Sequence, residues 1–208
     1  MGLILHQQVE DCTLGMWKIT EDYDTLRAMV TLDENEVARL DSFQSNHRKL
    51  EWLSVRALLR NINSESCKII YSNRKPFLSD FSQNISISHS EQYTSILLSK
   101  NKRVGIDLEY MSHEIERVSH KFINENEEIT TNPALRNYHL YIHWCAKETL
   151  YKICDKKDIH FKANLTISPF TPADKGKFRG TVHNMYGIEH FEMNYFRKRN
   201  YIIVWTNK

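Results

Sequence analysis

Apolar and polar positions along the chain follow two rhythms, one of period two and one near 3.6, and the switches between them mark out the elements. Residues 3–8 and 13–19 mix β-branched and apolar side chains on either side of an Asp11-Cys12 break, which predicts two short strands. Asp33 stands three residues before Glu36, the spacing of a capping box, and Val37, Leu40 and Phe43 continue at helical intervals. A second helix is predicted over 47–62. Strands follow at 68–71, 84–88 and 94–99, separated by Pro76 and by a polar turn near Glu91. The second half opens with a strand at 103–109, continues with two helical segments within 113–130 and a longer helix over 133–154, and closes with strands at 178–183, 190–196 and 201–206. Both halves read strands, helices, strands. That order predicts an α+β fold of two similar lobes, 1–101 and 102–208, packed as one compact unit with a ligand cleft between them.

Bulk properties exclude more than they identify. Lys and Arg number 28 against 26 Asp and Glu, a formal charge of +2, so no global attraction to nucleic acid or a membrane surface is expected. Cys12, Cys67, Cys145 and Cys154 are widely spaced or set in apolar stretches, and none forms a metal-type pair, so they are expected to be reduced structural thiols. With neither a basic start leading into an apolar block nor a run of membrane-spanning length, the expectation is a soluble, cytoplasmic protein.

Local chemistry concentrates in three places. Along the strand that includes residues 104–109, alternation turns Val104, Ile106 and Leu108 to one side and Gly105, Asp107 and Glu109 to the other. Two carboxylates side by side repel unless a cation neutralises them, and rigidly held oxygen ligands suit magnesium. Gly105 on that face is expected to let a bulky ligand approach, and the plain alternative is a strand with a solvated acidic face. In the long helix, Leu135, Tyr138, Ile142, Ala146 and Ile153 form an apolar stripe, which leaves Glu148 and Lys152 on the other side with Lys147 flanking them. Glu148 and Lys152 are i,i+4 neighbours, a spacing equally served by a surface salt bridge, but Trp144 shares that side and suggests that it is covered. The third place joins Arg74-Lys75-Pro76-Phe77 to Ser88-His89-Ser90, where cations, hydroxyls and imidazole can donate to phosphate. Ser88 has no adjacent glycine, so a serine-hydrolase elbow is not indicated. His139 and His143 lack further ligands for a transition metal and read as helix-surface or packing residues.

Taken together and in this order, the pieces resemble the phosphopantetheinyl transferase superfamily, in its larger single-chain, pseudo-dimeric type. The matching segments are Gly105 to Glu109, Trp144 to Lys152, Lys75-Pro76, Ser88-His89 and Arg48, within roughly residues 40–155. The resemblance implies transfer of the phosphopantetheine of coenzyme A to a serine of an acyl or peptidyl carrier protein by a monomer. It further implies that Asp107, Glu109 and Glu148 hold Mg2+, and that Arg48, Lys75, Ser88 and His89 contact coenzyme A at its nucleotide and 3′-phosphate end or its pyrophosphate. Lys147 and Lys152 would stabilise the phosphates, with Lys152 protonating the departing adenosine bisphosphate. A base is needed for the serine. By register Glu127 is preferred among Glu125, Glu127 and Glu128, with an acidic helix surface or a metal-bound water as the alternatives. The chain departs from the family pattern at Cys145, at Thr149 and at Asn73-Arg74, where a glycine often precedes Lys-Pro. Competing readings are a coenzyme A or carrier-protein binding module that has lost activity, and a metal-dependent nuclease, which would carry a broad basic surface.

Overall fold

The computed structural model describes residues 2–63, 67–112, 114–154 and 159–208. The chain divides into two compact units, Met1–Asn101 and Lys102–Lys208, and each has its own apolar core.

The first unit opens with a hairpin of β1 (Leu3–Val9) and β2 (Cys12–Lys18). Three helices follow: α1 (Tyr23–Ala28), α2 (Glu34–Asp41) and α3 (Asn46–Ile62). The sequence-predicted capping box is present, with Asp33 Oδ1 accepting from Glu36 N at 2.9 Å and Glu36 Oε2 accepting from Asp33 N at 3.5 Å. α1 is too short for a periodicity to register, and its sequence signal is the Asp22 cap on Thr25 N. After α3 come β3 (Ile69–Ser72) and β4 (Lys75–Leu78), paired as a ribbon, then β5 (Asn84–Ser90) and β6 (Tyr93–Ser99). The main sheet runs β1-β2-β6-β5, all antiparallel. α3 packs on β2 and β6 and buries Leu53, Leu58 and Leu59, each worth roughly 1.5–3 kcal/mol of apolar transfer.

Pro76 is not a break between elements; it lies inside β4. The turn is Asn73-Arg74, both left-handed at φ 50° and 68°, as a tight two-residue hairpin with the strands' own twist requires. Ser72 pairs with Lys75 across the turn, and Pro76 falls opposite Tyr71 in the next pair, where an edge strand tolerates the missing N–H. The glycine often found before Lys-Pro is thus replaced by two residues that adopt its backbone conformation.

The second unit comprises β7 (Val104–Tyr110), α4 (Ile115–Val118), α5 (Pro133–Cys154), α6 (Phe161–Asn164), β8 (Leu165–Ile167), β9 (Lys175–Asn184), β10 (Gly187–Lys198) and β11 (Tyr201–Asn207). Its antiparallel sheet is ordered β7-β11-β10-β9-β8, and α5 packs against β7, β11, β8 and β9. Helix over 113–130 is realised only as α4 and one 3₁₀ turn, Ser119–Lys121; His113 lies outside the described residues, and 122–132 are irregular. No helix among the described residues is long and apolar enough to cross a membrane. All four cysteines are buried free thiols.

α5 is buried on most sides, and His139 and His143 belong to its packed surface rather than to solvent. Phe170 meets His139 edge-on at 4.6 Å between centroids, stacks on His143 at 5.5 Å and on Phe178 at 4.5 Å. Burial pushes His139 down to about 4 and His143 to about 3. A base depressed by folding takes up its proton first in the unfolded chain, so its contribution to stability is whole above pH 6.5 and is lost as pH falls toward 3. Between pH 7.5 and 5.0 the parent is expected to lose about 2 kcal/mol more unfolding free energy than His143→Phe, which keeps the ring but cannot titrate. Equal losses in urea melts at the two pH values would show that His143 is not held neutral.

Candidate active site

The centre of the second unit is the seat of α5 on β7. A Cβ on Gly105 would lie 2.6 Å from the Thr149 carbonyl oxygen and 3.1 Å from Ile153 Cβ, so the glycine admits the helix backbone. The sequence expectation that this space serves a ligand is corrected accordingly. With α5 drawn onto the strand, Lys152 Nζ donates to Asp107 Oδ1 at 2.7 Å and to the Ile106 carbonyl at 3.1 Å. Two turns back, Trp144 Nε1 donates to Glu109 Oε1 at 3.0 Å, and its ring meets Phe122 edge-on.

Glu148 lies one helical turn from each of these residues, on the strip of α5 that burial leaves open. Burial first, then the charges of Asp107 and Glu109, push its carboxyl up to about 7 against the opposing pull of Lys152. Full burial, and then the same two carboxylates, hold the Cys145 thiol well above its ordinary range, so it stays protonated. Among the described residues no three His, Cys, Asp or Glu side chains already form a metal-holding group. The chemistry of the donor set nonetheless fits Mg2+, which takes hard carboxylate oxygens of the kind that Asp107, Glu109 and Glu148 offer.

Lys147 and Glu127, assigned from the sequence to phosphate binding and to base catalysis, are placed elsewhere. Both side chains are 0% exposed, and Lys147 Nζ sits 2.8 Å from Glu127 Oε2. Lys147 also donates to the Phe122 and Phe161 carbonyls. Glu127 accepts from Ile167 N at 2.8 Å and from Asn124 N at 2.9 Å. Every strong direction of both groups is taken inside the protein, so neither is open to a substrate. Their work is structural: they tie the irregular 122–127 segment and β8 to α5. Glu125 and Glu128 are exposed on that segment, which is not a helix surface.

In the first unit Arg48 and His89 do come together. Arg48 Nη1 is 2.7 Å from His89 Nε2 and donates to Glu51 Oε2 at 2.9 Å. His89 Nδ1 lies 3.1 Å from Glu51 Oε1 and His47 Nδ1 lies 3.6 Å from it. Glu51 is a residue that sequence reasoning misses, although its i+3 and i+4 spacing from Arg48 and His47 is an available signal. Ser88 is buried, and strand alternation turns it to the face of β5 opposite His89. Lys75 sits in the ribbon, half-buried, with its ammonium 5.6 Å from the Phe77 ring centroid.

The sequence pattern of the 4′-phosphopantetheinyl transferase superfamily matches residues 103–206, half of the chain. The chain belongs to this superfamily. No curated protein matches it. Membership brings phosphopantetheinyl transfer as the general chemistry. The matched span of this phosphopantetheinyl transferase contains Asp107, Glu109, Glu127, Lys147, Glu148 and Lys152, while Arg48, Lys75, Ser88 and His89 lie outside it. A nuclease reading has no comparable support.

The enclosed pair generates a prediction. Lys147→Met strands the Glu127 carboxylate in the interior and is expected to lower unfolding free energy by about 3–5 kcal/mol, most of which the double variant with Glu127→Gln recovers. Urea denaturation of the two variants checks it. A single variant within about 1 kcal/mol of the parent would mean that Glu127 finds water and is not structurally bound.

Proposed function

We propose that this chain transfers the 4′-phosphopantetheine of coenzyme A to a serine of an apo acyl or peptidyl carrier protein, with Mg2+, and releases adenosine 3′,5′-bisphosphate. The observation that carries the reading is the match of the superfamily pattern to residues 103–206, the span that contains Asp107, Glu109, Glu148 and Lys152. Asp107, Glu109 and Glu148 would hold Mg2+, which supplies positive charge to the donor's pyrophosphate.

The serine oxygen forms a bond to the phosphorus that carries pantetheine, and the bond from that phosphorus to the bridging oxygen breaks. The electron pair leaves with adenosine 3′,5′-bisphosphate. Glu148 accepts the serine proton. No other hydrogen-bond donor among the described residues engages its carboxylate, and Glu127 is enclosed. Lys152, part exposed beside Asp107, gives its charge and a proton to the leaving oxygen. Trp144 keeps Glu109 turned toward the group through its indole N–H. In the first unit, Arg48, His89 and Lys75 are proposed for the nucleotide end of coenzyme A, with the part-exposed Arg48 guanidinium for its 3′-phosphate. Lys147 supports this machinery from within the core and touches no substrate. Coenzyme A as donor places the work in the cytoplasm, and we read the chain as a monomer.

Intact-mass spectrometry of an apo carrier protein incubated with the chain, coenzyme A and Mg2+ is expected to show the gain of one phosphopantetheine, lost with EDTA. Glu148→Gln is expected to slow that gain by roughly 10²-fold or more at an unchanged melting temperature, and near-normal transfer would remove Glu148 from the chemistry. Lys152→Ala is expected to lower kcat by about 10²-fold with little change in KM for coenzyme A. A rise in KM alone would make Lys152 a binding residue.

A further inference from the structure

Resting on the reading above, we infer that Glu51 is a positioning residue for coenzyme A, which together with His89 fixes the Arg48 guanidinium against the donor's 3′-phosphate. A buried carboxylate is costly unless it is compensated, and Glu51, 7% exposed, gathers three basic side chains, one of them from another element. An ordinary helix-surface pair needs neither the burial nor the contact from β5.

The hydrogens decide the arrangement. A guanidinium nitrogen has only protons to offer, so at 2.7 Å from Arg48 Nη1 the His89 Nε2 must be the acceptor. The imidazole proton therefore sits on Nδ1, and its partner is Glu51 Oε1 at 3.1 Å. Glu51 Oε2 takes the same Arg48 nitrogen at 2.9 Å and closes the triangle. Glu51 thus sets the tautomer of His89 and the rotamer of Arg48 at once. Arg48 spends only Nη1 on this, which leaves its Nε and Nη2 edge as a planar fork of the kind that takes two phosphate oxygens. Both side chains are solvent-reachable, 44% and 34% exposed. Without the carboxylate, each would spread over several rotamers and lose its alignment with the other.

The same triangle explains why the requirement falls on one phosphate. A single planar fork, braced from behind by the imidazole and the carboxylate, suits a terminal phosphate monoester, two of whose oxygens it can take at once.

The experiment compares coenzyme A with 3′-dephospho-coenzyme A as donors for the parent and for Glu51→Gln. KM for coenzyme A is expected to rise about tenfold in the variant at unchanged kcat, with KM for the dephospho donor within about twofold of the parent's. Glu51→Asp keeps the charge and should fall between the two. Equal loss with both donors would make Glu51 a structural residue only, and no change with either would free Arg48 and His89 from it; both outcomes overturn the inference. Calorimetry of adenosine 3′,5′-bisphosphate against adenosine 5′-monophosphate reads the same contrast without transfer. If the chain transfers nothing, the proposed function fails, and the calorimetric contrast between parent and Glu51→Gln still decides whether Glu51 governs recognition of the 3′-phosphate.

Discussion

Everything in the second unit depends on how closely α5 can lie on β7. A strand presents side chains on both faces, and a helix normally rides about 10 Å above it on their tips. At Gly105 there is no tip, and the Thr149 carbonyl occupies the space a methyl would take. The consequence is felt one residue-pair along the strand, where Lys152 is near enough to hold Asp107, and again at Glu109, where it is the indole of Trp144 that reaches. Glu148, on the same strip of α5, has its carboxyl pushed up to about 7, first by burial and then by the charges of Asp107 and Glu109. A single absent side chain therefore controls packing, charge density and chemistry together.

Such crowding needs a helix that cannot back away. α5 is held from its other side by Lys147, whose ammonium is saturated by Glu127 and two carbonyls. Glu127 in turn holds the amide nitrogens of Asn124 and Ile167. The buried pair is a poor source of net stability, because desolvation offsets most of its Coulomb gain. Its effect is on specificity of arrangement: no other position of the 122–127 segment or of β8 would satisfy both charges. Beneath, Phe170 and the two neutral histidines fill the helix's remaining contact with the sheet.

Much of this order is legible in the sequence, wherever a single local rule is in command. The capping box at Asp33 and Glu36, the helix ending at Ile62, the long helix from Pro133 and the alternation of β7 all appear where period and cap predict them. The legible part of the site is the set Asp107, Glu109, Glu148 and Lys152, because strand and helix spacings alone put them on facing sides. What escapes is decided by tertiary surroundings. Lys147 looks like a flanking surface lysine until loop and strand close over it. The 122–132 stretch has helical composition, yet Asn124 and Glu127 spend their side chains on backbone amides that a helix would need. Pro76 signals a break, but an edge ribbon can carry it. Gly105 reads as space for a ligand because a sequence cannot say which neighbour will fill the space.

The two charged clusters are built on the same principle with the signs exchanged. In the first unit a buried carboxylate, Glu51, gathers a guanidinium and an imidazole and leaves part of each facing solvent. In the second a lysine, Lys152, holds Asp107, and burial with the nearby carboxylates raises Glu148. Like charges brought together for a ligand repel one another in the free protein, and that repulsion would scatter flexible side chains before any ligand arrived. One fixed counter-charge from a rigid element suppresses the scatter without neutralising the set. The remaining imbalance is what an oppositely charged group can relieve, so the cost of assembling each cluster during folding becomes a preference for a ligand of the opposite charge.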